Sequence, residues 1–345
     1  MAQRWSRFEL LTLAGVPAGW LDGVDACSLS WSLYSSTHRT GTLTVSGAGV
    51  DWGRYLLRPW RYERAHGATT AQPRGVYLMT SPGRELLDGR QRHDVTLYGL
   101  EASLSRVPLF GPLDIAAGQA FTTVMLARLA ALGISGDRVA ATTSTKTLAA
   151  PVHFDAGKSE LEVWNHLAES LGYWGLSFSN SGQALVRPYV RPADRPEAYR
   201  FAPAADKIVP GVKEASDGWK VPNVLVGTSR LDDGSTISYS AQSLDGGPYS
   251  YAARGYWVGD DGGPVQLDCP DAATLAAATT ERLRLASAGA RRTWDVEVAP
   301  LPWEGGEVGR LDIEGVSALT AVRSWTEDMV DLAADMRVTL EEVPE

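Results

Sequence analysis

Cysteine is nearly missing: the 345 residues include two, Cys27 and Cys269, each among apolar or small neighbours. Two thiols so far apart make no disulfide framework, and a thiolate metal site needs more ligands. They read as buried free thiols. Long apolar runs are missing as well. None approaches the roughly 20 residues of a bilayer-spanning helix. The start, Met1-Ala-Gln-Arg-Trp-Ser-Arg-Phe-Glu9, lacks the apolar core of a signal peptide, so folding is expected in a cytoplasm without membrane insertion. Basic clusters are missing too. Lys and Arg number 32 against 41 Asp and Glu, a net charge of −9, no stretch is densely basic, and the nearest approach taken, Arg90-Gln-Arg92, follows Glu85 and Asp88. Nucleic-acid readers neutralise phosphates with grouped cations, which argues against sequence-specific DNA binding. Acidity suits a surface that DNA passes without sticking, and equally one that needs solubility.

What is present points to β structure. Phe is scarce at 6, but Trp and Tyr number 12 each, with 35 Gly and 19 Pro. Broad amphipathic rings suit barrel rims and interfaces. With 44% hydrophobic and 21% charged residues, the chain is an ordinary globular protein of two or three domains. Residues 1–112 read as six strands joined by turns. Cys27, Leu29, Trp31 and Leu33 alternate with the period of two that marks a half-buried strand. Arg7–Leu13, Thr40–Val45, Tyr55–Tyr62, Arg74–Thr80 and Asp94–Gly99 complete the set. They suggest a small antiparallel barrel or sandwich.

The texture changes near Pro108-Leu-Phe-Gly-Pro112. Between Gly118 and Gly133, Phe121, Val124, Met125, Leu129 and Leu132 fall at helical spacing, with Gly133 as C-terminal cap. A second helix starts at Ser159, where Glu162 three residues on completes a capping box. Leu161, Trp164, Leu167 (or Ala168) and Leu171 form its stripe, and Gly172 ends it. A hairpin follows, Trp174–Phe178 and Ala184–Val186 about an Asn180-Ser-Gly182 turn. From residue 200 strands return at Asn223–Gly227, Thr236–Ala241, Trp294–Val298, Arg310–Ile313, Leu319–Trp325 and Met336–Glu342. Asp232-Asp-Gly234 reads as a hairpin turn. Asp271 caps a helix running to Gly289. The expected fold is α+β, mainly β: two tube-like barrel or sandwich domains, 1–112 and 201–345, flank a helix–helix–hairpin subdomain at 113–200, and the second carries an inserted helix at 271–289.

Catalytic patterns are not found. Gly157-Lys158-Ser159 has the tail of a P-loop, but Val152 stands where the first glycine belongs, and Ser159 serves as a helix cap. His38, His66, His93, His153 and His166 include no zincin pair. His93-Asp94 has no Gly-x-Ser-x-Gly elbow to serve and reads as a turn at a strand entrance. The acidic pairs Asp232-Asp233, Asp260-Asp261 and Glu341-Glu342 are adjacent, whereas glycosidase carboxyls face each other across a cleft. Asp260-Asp-Gly-Gly-Pro264 lacks the alternating acids of a calcium loop. No catalytic, cofactor-binding or metal-ligating residue is nominated, and no cofactor is expected. Two aromatic groups remain, Trp52, Tyr55, Trp60 and Tyr62, then Tyr249, Tyr251, Tyr256 and Trp257. Exposed rings stack on sugars or bases; they also close barrel ends or meet neighbouring subunits, which is favoured.

Several stretches resemble the tail-hub family of tailed bacteriophages, which includes the baseplate hub of contractile phages and the hub part of type VI spikes. Leu97-Tyr-Gly-Leu-Glu101 leading to Leu104, then Ile115-Ala-Ala-Gly118 and the helix to Gly133-Ile134, is similar to the family's passage from first barrel to helical domain. Val163-Trp-Asn-His-Leu-Ala-Glu-Ser-Leu-Gly-Tyr-Trp174, with Leu176-Ser-Phe178 and the following turn, resembles its helix and hairpin. Asn223-Val-Leu-Val-Gly227, with Ala241 and Asp245-Gly-Gly-Pro248, resembles the opening of its second barrel. Where the family often has a Pro-Gly-Asp turn before a late strand, this chain has Gly305-Gly-Glu-Val-Gly309. The resemblance covers most of the chain and implies a structural virion protein: a homotrimeric tail-tip or baseplate hub, of the siphophage type. It would match a sixfold tail tube to a threefold tip and enclose the channel for DNA ejection. Implied partners are further copies of itself, distal tail or tube proteins, the tape-measure protein and tip fibres or a spike; DNA passes without specific binding. With no lysozyme, peptidase or fibre region after residue 345, a hub alone is expected, made in the host cytoplasm and carried at the virion tail tip. Two alternatives are a cell-wall glycan-binding or glycan-degrading tail protein, and the hub of a phage-derived contractile injection system.

Overall fold

A computed structural model describes the chain except residues 1–2, 48–49, 81, 88–89, 143–145, 149–150, 203–212, 216–220, 232–233, 244–248, 257–262, 268, 270, 288–291, 314, 333 and 344–345. In chain order the N-terminal elements are β1 (Gln3–Thr12), β2 (Pro17–Leu21), β3 (Val24–Ser32), β4 (Arg39–Ser46), β5 (Tyr55–Ala65), β6 (Ala68–Pro73), β7 (Tyr77–Met79), β8 (Arg84–Leu87), β9 (Arg90–Gly99) and α1 (Glu101–Leu104). Next come β10 (Leu113–Ile115), α2 (Phe121–Ala131), β11 (Val139–Ala141), β12 (Val152–Phe154), α3 (Glu160–Leu171), β13 (Ser177–Phe178), β14 (Ala184–Val186) and β15 (Glu197–Phe201). The rest are β16 (Lys213–Ala215), β17 (Val224–Arg230), β18 (Thr236–Gln242), α4 (Tyr251–Arg254), β19 (Val265–Gln266), α5 (Ala272–Ser287), β20 (Thr293–Val298), β21 (Val308–Ile313), β22 (Val316–Asp328) and β23 (Met336–Glu342). The architecture is α+β and mainly β.

The chain forms two compact units. One comprises Met1–Gly211 with Val296–Leu340, the other Val212–Asp295 with Glu341–Glu345. In the first, a largely antiparallel sheet runs in the order β23-β22-β3-β4-β9-β7-β5-β1-β2. It stays open, with β2 at one end, and does not close into the barrel form suggested for residues 1–112. The reason lies in β3. Its alternating Cys27, Leu29 and Trp31 are buried, and it pairs with β4 on one side and β22 on the other, bringing Trp31 opposite Trp325. A strand near the chain's end thus completes the sheet begun near its start. β21 pairs with β22 from Val308↔Ala321 to Ile313↔Val316, so the Gly305–Gly309 segment leads into a regular ladder.

Strands β2, β6 and β8 occupy stretches read above as connections. The β5–β6 hairpin turns at His66 and Gly67, both at positive φ (51° and 81°), as a type I′ turn requires. His93-Asp94 is a correction: the pair lies inside β9, with His93 buried and Asp94 on the opposite, exposed face.

The helical part belongs to the same unit. Phe121, Met125 and Leu129 of α2 and Leu161, Trp164, Leu167 and Ala168 of α3 share one core with Leu11, Leu56, Val76 and Leu100 of the sheet region. Each such Leu, Val, Phe or Met side chain contributes about 1.5–3 kcal/mol of burial. The capping box is formed: Glu162 N–H donates to Ser159 Oγ (3.2 Å), and Ser159 N–H to Glu162 Oε2 (2.7 Å). Gly133 (φ 76°) ends α2 and Gly172 (φ 70°) ends α3, left-handed positions where glycine has no β-carbon to strain.

The second unit is built on the β17–β18 hairpin, with β19 parallel to β17. Residues 232–233 of the expected turn lie outside the described residues, but the strands on either side pair antiparallel. Helix α5 packs on this sheet with Leu275, Thr279 and Leu283 buried. Gly227 allows the approach, since a β-carbon there would lie 2.0 Å from Thr279 Oγ1. Asp271 caps α5 by accepting from Thr274 N–H (2.7 Å). The helix runs to Ser287, and the expected end at Gly289 lies outside the described residues.

Candidate interaction surface

The first unit buries a cluster of charge that the sequence reading did not find. Arg61 Nε lies 2.7 Å and Arg74 Nη2 3.0 Å from the same oxygen, Glu327 Oε1, all three side chains being at most 5% exposed. Arg61 also donates to the Asp328 carbonyl (2.8 Å), and Arg74 to the Leu301 carbonyl (2.6 Å). Burial holds the Arg61 guanidinium below its ordinary range, with Glu327 pulling it back up. These bonds tie β5 and the segment before β7 to β22. Nearby, Arg39 is buried beside Tyr77 and Glu101, whose carboxyl is pushed up by burial and lowered by the charges of His38 and Arg39. Glu101 accepts from Phe178 N–H (3.3 Å) and so joins α1 to the helical part. Enclosed charges of this kind fix geometry and offer no substrate access.

The remaining polar candidates are dispersed. Cys27 and Cys269 are both free and buried, and burial, with Asp328 and Glu327 close by, pushes the Cys27 thiol far up. Cys269 N–H donates to Ser229 Oγ (2.9 Å). His93 packs on Trp52 (5.5 Å between rings), and His166 meets the ring of Phe154 edge-on. His153 is exposed, with Nδ1 2.7 Å from Asp114 and Nε2 3.5 Å from Asp155. No group of three or more His, Cys, Asp and Glu among the described residues is arranged to hold a metal ion. Glu342 pairs with Arg292 while Glu341 is buried, so these adjacent acids point apart. Residues 260–261 lie outside the described residues.

The aromatic groups divide. Trp52 is in the core. Trp60 and Tyr62 form a half-buried row with Trp5, which stacks on Tyr62 at 5.2 Å, and Trp60 Nε1 donates to Glu9 (2.7 Å). Tyr251 and Tyr256 touch each other at 4.6 Å, with Tyr256 exposed; Trp257 lies outside the described residues. Phe110, which was not nominated from the sequence, is 94% exposed, and Leu13 and Val16, in the β1–β2 turn, are 57% and 58% exposed. The Phe110 loop is nonetheless fixed. Leu109 is buried, its N–H donates to the Lys158 carbonyl (2.7 Å), and its carbonyl accepts from Gly157 N–H (2.9 Å). Glu160 N–H binds the Val107 carbonyl (2.9 Å). The Pro108-Leu-Phe-Gly-Pro112 composition was the available sign: a lone aromatic between two prolines is a ring on a stiff support.

Comparison with known proteins bears on the fold. No protein-family model matches the sequence, and neither does any curated protein. Among solved structures, a tail protein from Neisseria meningitidis MC58 superposes with a TM-score of 0.68 at 10% identity, covering 98% of this chain and 97% of that one. A 43 kDa tail protein of prophage MuSo2 from Shewanella oneidensis gives 0.64 at 13% identity, over 97% and 98%. An Escherichia coli component of the type VI secretion system, described as structurally similar to phage T4 tail proteins gp27 and gp5, gives 0.53 at 10% identity, over 93% and 74%. The chain shares the fold of these phage tail and type VI secretion-system proteins, in keeping with the fold that its resemblance to the tail-hub family implied.

Proposed function

We propose that this protein is a structural component of a phage tail: a homotrimeric hub at the tail tip that acts by shape and without catalysis. The observation that carries the reading is the end-to-end agreement with a tail protein, 98% of one chain on 97% of the other. In this role three copies, each contributing two β-rich segments, present six similar walls to a sixfold tube and a threefold face to the tip. The open sheet and the exposed Leu13, Val16 and Phe110 supply edges and apolar anchors that a ring of copies would cover. A net charge of −9 favours a channel that DNA traverses without adhering. Distal tail or tube proteins, the end of the tape-measure protein, and fibres or a spike are the expected neighbours in the particle.

Electron microscopy of the purified protein and of particles labelled with an antibody against it tests this. Threefold rings with an axial channel, and label at the tail tip, are expected. A chain that forms no ring at any concentration, or label confined to the head, overturns it. The same images decide between a long flexible tail and a contractile machine. Lysis of host cell wall by the purified chain, lost on changing a single acid, would replace the mechanical reading with the glycan-degrading one.

A further inference from the structure

We propose that a proton-dependent clasp holds the turn of the β13–β14 hairpin on the sheet, gripping when the Glu101 carboxyl is neutral and loosening when it is ionised. The clasp lies within one chain, so it stands or falls independently of the trimeric reading above.

The turn, residues 178–183, is seated from two sides. On one side Phe178 N–H donates to Glu101 Oε1 (3.3 Å). On the other, Asn180 N–H donates to Glu304 Oε1 (3.2 Å), and Asn180 Nδ2 to the carbonyls of Pro302 (3.3 Å) and Trp303 (3.1 Å). The Asn180 carbonyl accepts from Gly75 N–H (3.1 Å). Gly182 packs so closely that a β-carbon there would lie 2.7 Å from Val76 Cγ2. Two amides two residues apart are thus held by two carboxyls from distant parts of the chain. The second is itself well supported: Glu307 accepts from Glu304 N–H (2.6 Å) and Gly305 N–H (2.8 Å) and fixes the segment that carries it.

The two carboxyls differ in their surroundings. Glu304 is half-buried, whereas Glu101 is 0% exposed. The Glu101 side chain folds back over Gly99, where a β-carbon would lie 2.3 Å from Oε2 and 3.1 Å from Arg39 Cβ. Oε2 has no hydrogen-bond partner among the described residues, and a buried carboxylate short of hydrogen bonds is costly. Burial holds the Glu101 carboxyl above its usual range and outweighs the charges that favour ionisation, those of His38 and Arg39. Arg39 is itself buried against Tyr77, whose hydroxyl donates to the Arg74 carbonyl (2.9 Å), and His38 Nδ1 lies 3.0 Å from the Ser32 carbonyl. The charged and titratable groups on elements packed against α1 are engaged elsewhere. On β9, Arg92 pairs with Asp94 and His93 packs on Trp52; on α3, Glu160 binds Arg128, Glu162 binds Ser159 and His166 meets Phe154. From β13, Glu101 receives the backbone N–H of Phe178.

A carboxyl whose folded value lies above its released value adds stability below the released value, and that stability is lost as pH rises through the folded value. With the turn lifted, Glu101 meets water and ionises freely; with the turn seated, it is charged at a cost. The clasp is therefore tightest in mild acid and weakest above neutrality. An exposed carboxylate accepting an amide hydrogen bond would show the reverse dependence.

Amide hydrogen exchange of the full-length protein, read at Phe178 and Asn180 and corrected for the intrinsic effect of pH, tests the clasp. Wild-type protection at both amides should fall roughly tenfold between about pH 5 and pH 8, the scale of one poorly satisfied buried charge. E101Q keeps the shape and an accepting oxygen; at pH 8 it should be protected as wild type is at pH 5, with no such fall. E304Q should exchange faster at both pH values and keep the fall. A carbon NMR titration of the glutamate carboxyls, assigned by difference from E101Q, should place Glu101 above the ordinary carboxylate range. An E101Q protein that retains the pH dependence, or that loosens the turn as E304Q does, overturns the proposal. So does a Glu101 carboxyl that titrates within or below the ordinary range.

Discussion

Replacing Glu327 by glutamine should destabilise the first unit by about 3–5 kcal/mol, the cost of removing one partner from a buried ion pair. The geometry supports the upper part of that range. One oxygen serves two guanidiniums, at 2.7 and 3.0 Å, with side-chain exposures of 5%, 2% and 1% for Arg61, Arg74 and Glu327. An exposed pair of the same geometry would contribute no more than about 1 kcal/mol. Glutamine nearly preserves volume and keeps an accepting oxygen, so the loss reports charge and not a cavity. Two buried cations would then face each other without a counterion, and Arg61 is already held below its ordinary range by burial. For a domain of this size each kcal/mol shifts the melting temperature by about 2–4 °C, so E327Q should melt roughly 6–20 °C below wild type by calorimetry. The triple variant R61M/R74M/E327L, which removes every charge of the cluster, should melt above E327Q. An E327Q protein within about 2 °C of wild type would refute the view that these charges are mutually dependent.

Gly305→Ala should be comparably damaging, at about 2–4 kcal/mol, because φ is +110° and a β-carbon would lie 2.2 Å from Trp31 Cζ2. Gly53→Ala is the control: no atom lies within 4 Å and φ is not positive, so its melting temperature should barely move. His153 should titrate above the ordinary histidine range, through its hydrogen bond to Asp114, the charge of Asp114 and then the more distant Asp155. A folded pKa raised above the unfolded one stabilises the fold below the unfolded value, and the gain is lost as pH rises through the folded value. An NMR titration should show Asp114→Asn lowering the pKa; no movement would mean that the contact is not kept in solution.

Most regular elements were legible because their patterns are local. The alternation of Cys27, Leu29 and Trp31 marked β3, Ser159 with Glu162 marked the start of α3, and Gly133 and Gly172 marked two helix ends. Strands held by their neighbours were not. Ala68–Pro73 has no apolar alternation and exists because the His66-Gly67 turn folds it back on β5. Pro17–Leu21 carries a proline and a glycine, which suit an edge strand and look like a loop in isolation. Long-range pairing was the least visible. Nothing in residues 27–32 announces that their partner lies at 324–328, and Arg61, Arg74 and Glu327 each look like an ordinary surface charge until the sheet brings them together. Phe110 was overlooked for the opposite reason: a single apolar residue belongs to no period.

The same distinction explains how a fold can persist at 10–13% identity over nearly the whole chain. A half-buried strand needs alternation and volume, which many apolar residues supply, and a turn needs a residue that accepts positive φ. Neither requirement fixes a motif, so the scaffold drifts in sequence while its shape is kept. Residues that specify one arrangement of the sheet, such as the Arg61–Arg74–Glu327 cluster, are constrained by each other and can change together. Surface anchors are constrained only by what covers them. On the proposed hub reading, the informative residues are therefore those, like Phe110, whose exposure and rigid support its own fold leaves unexplained.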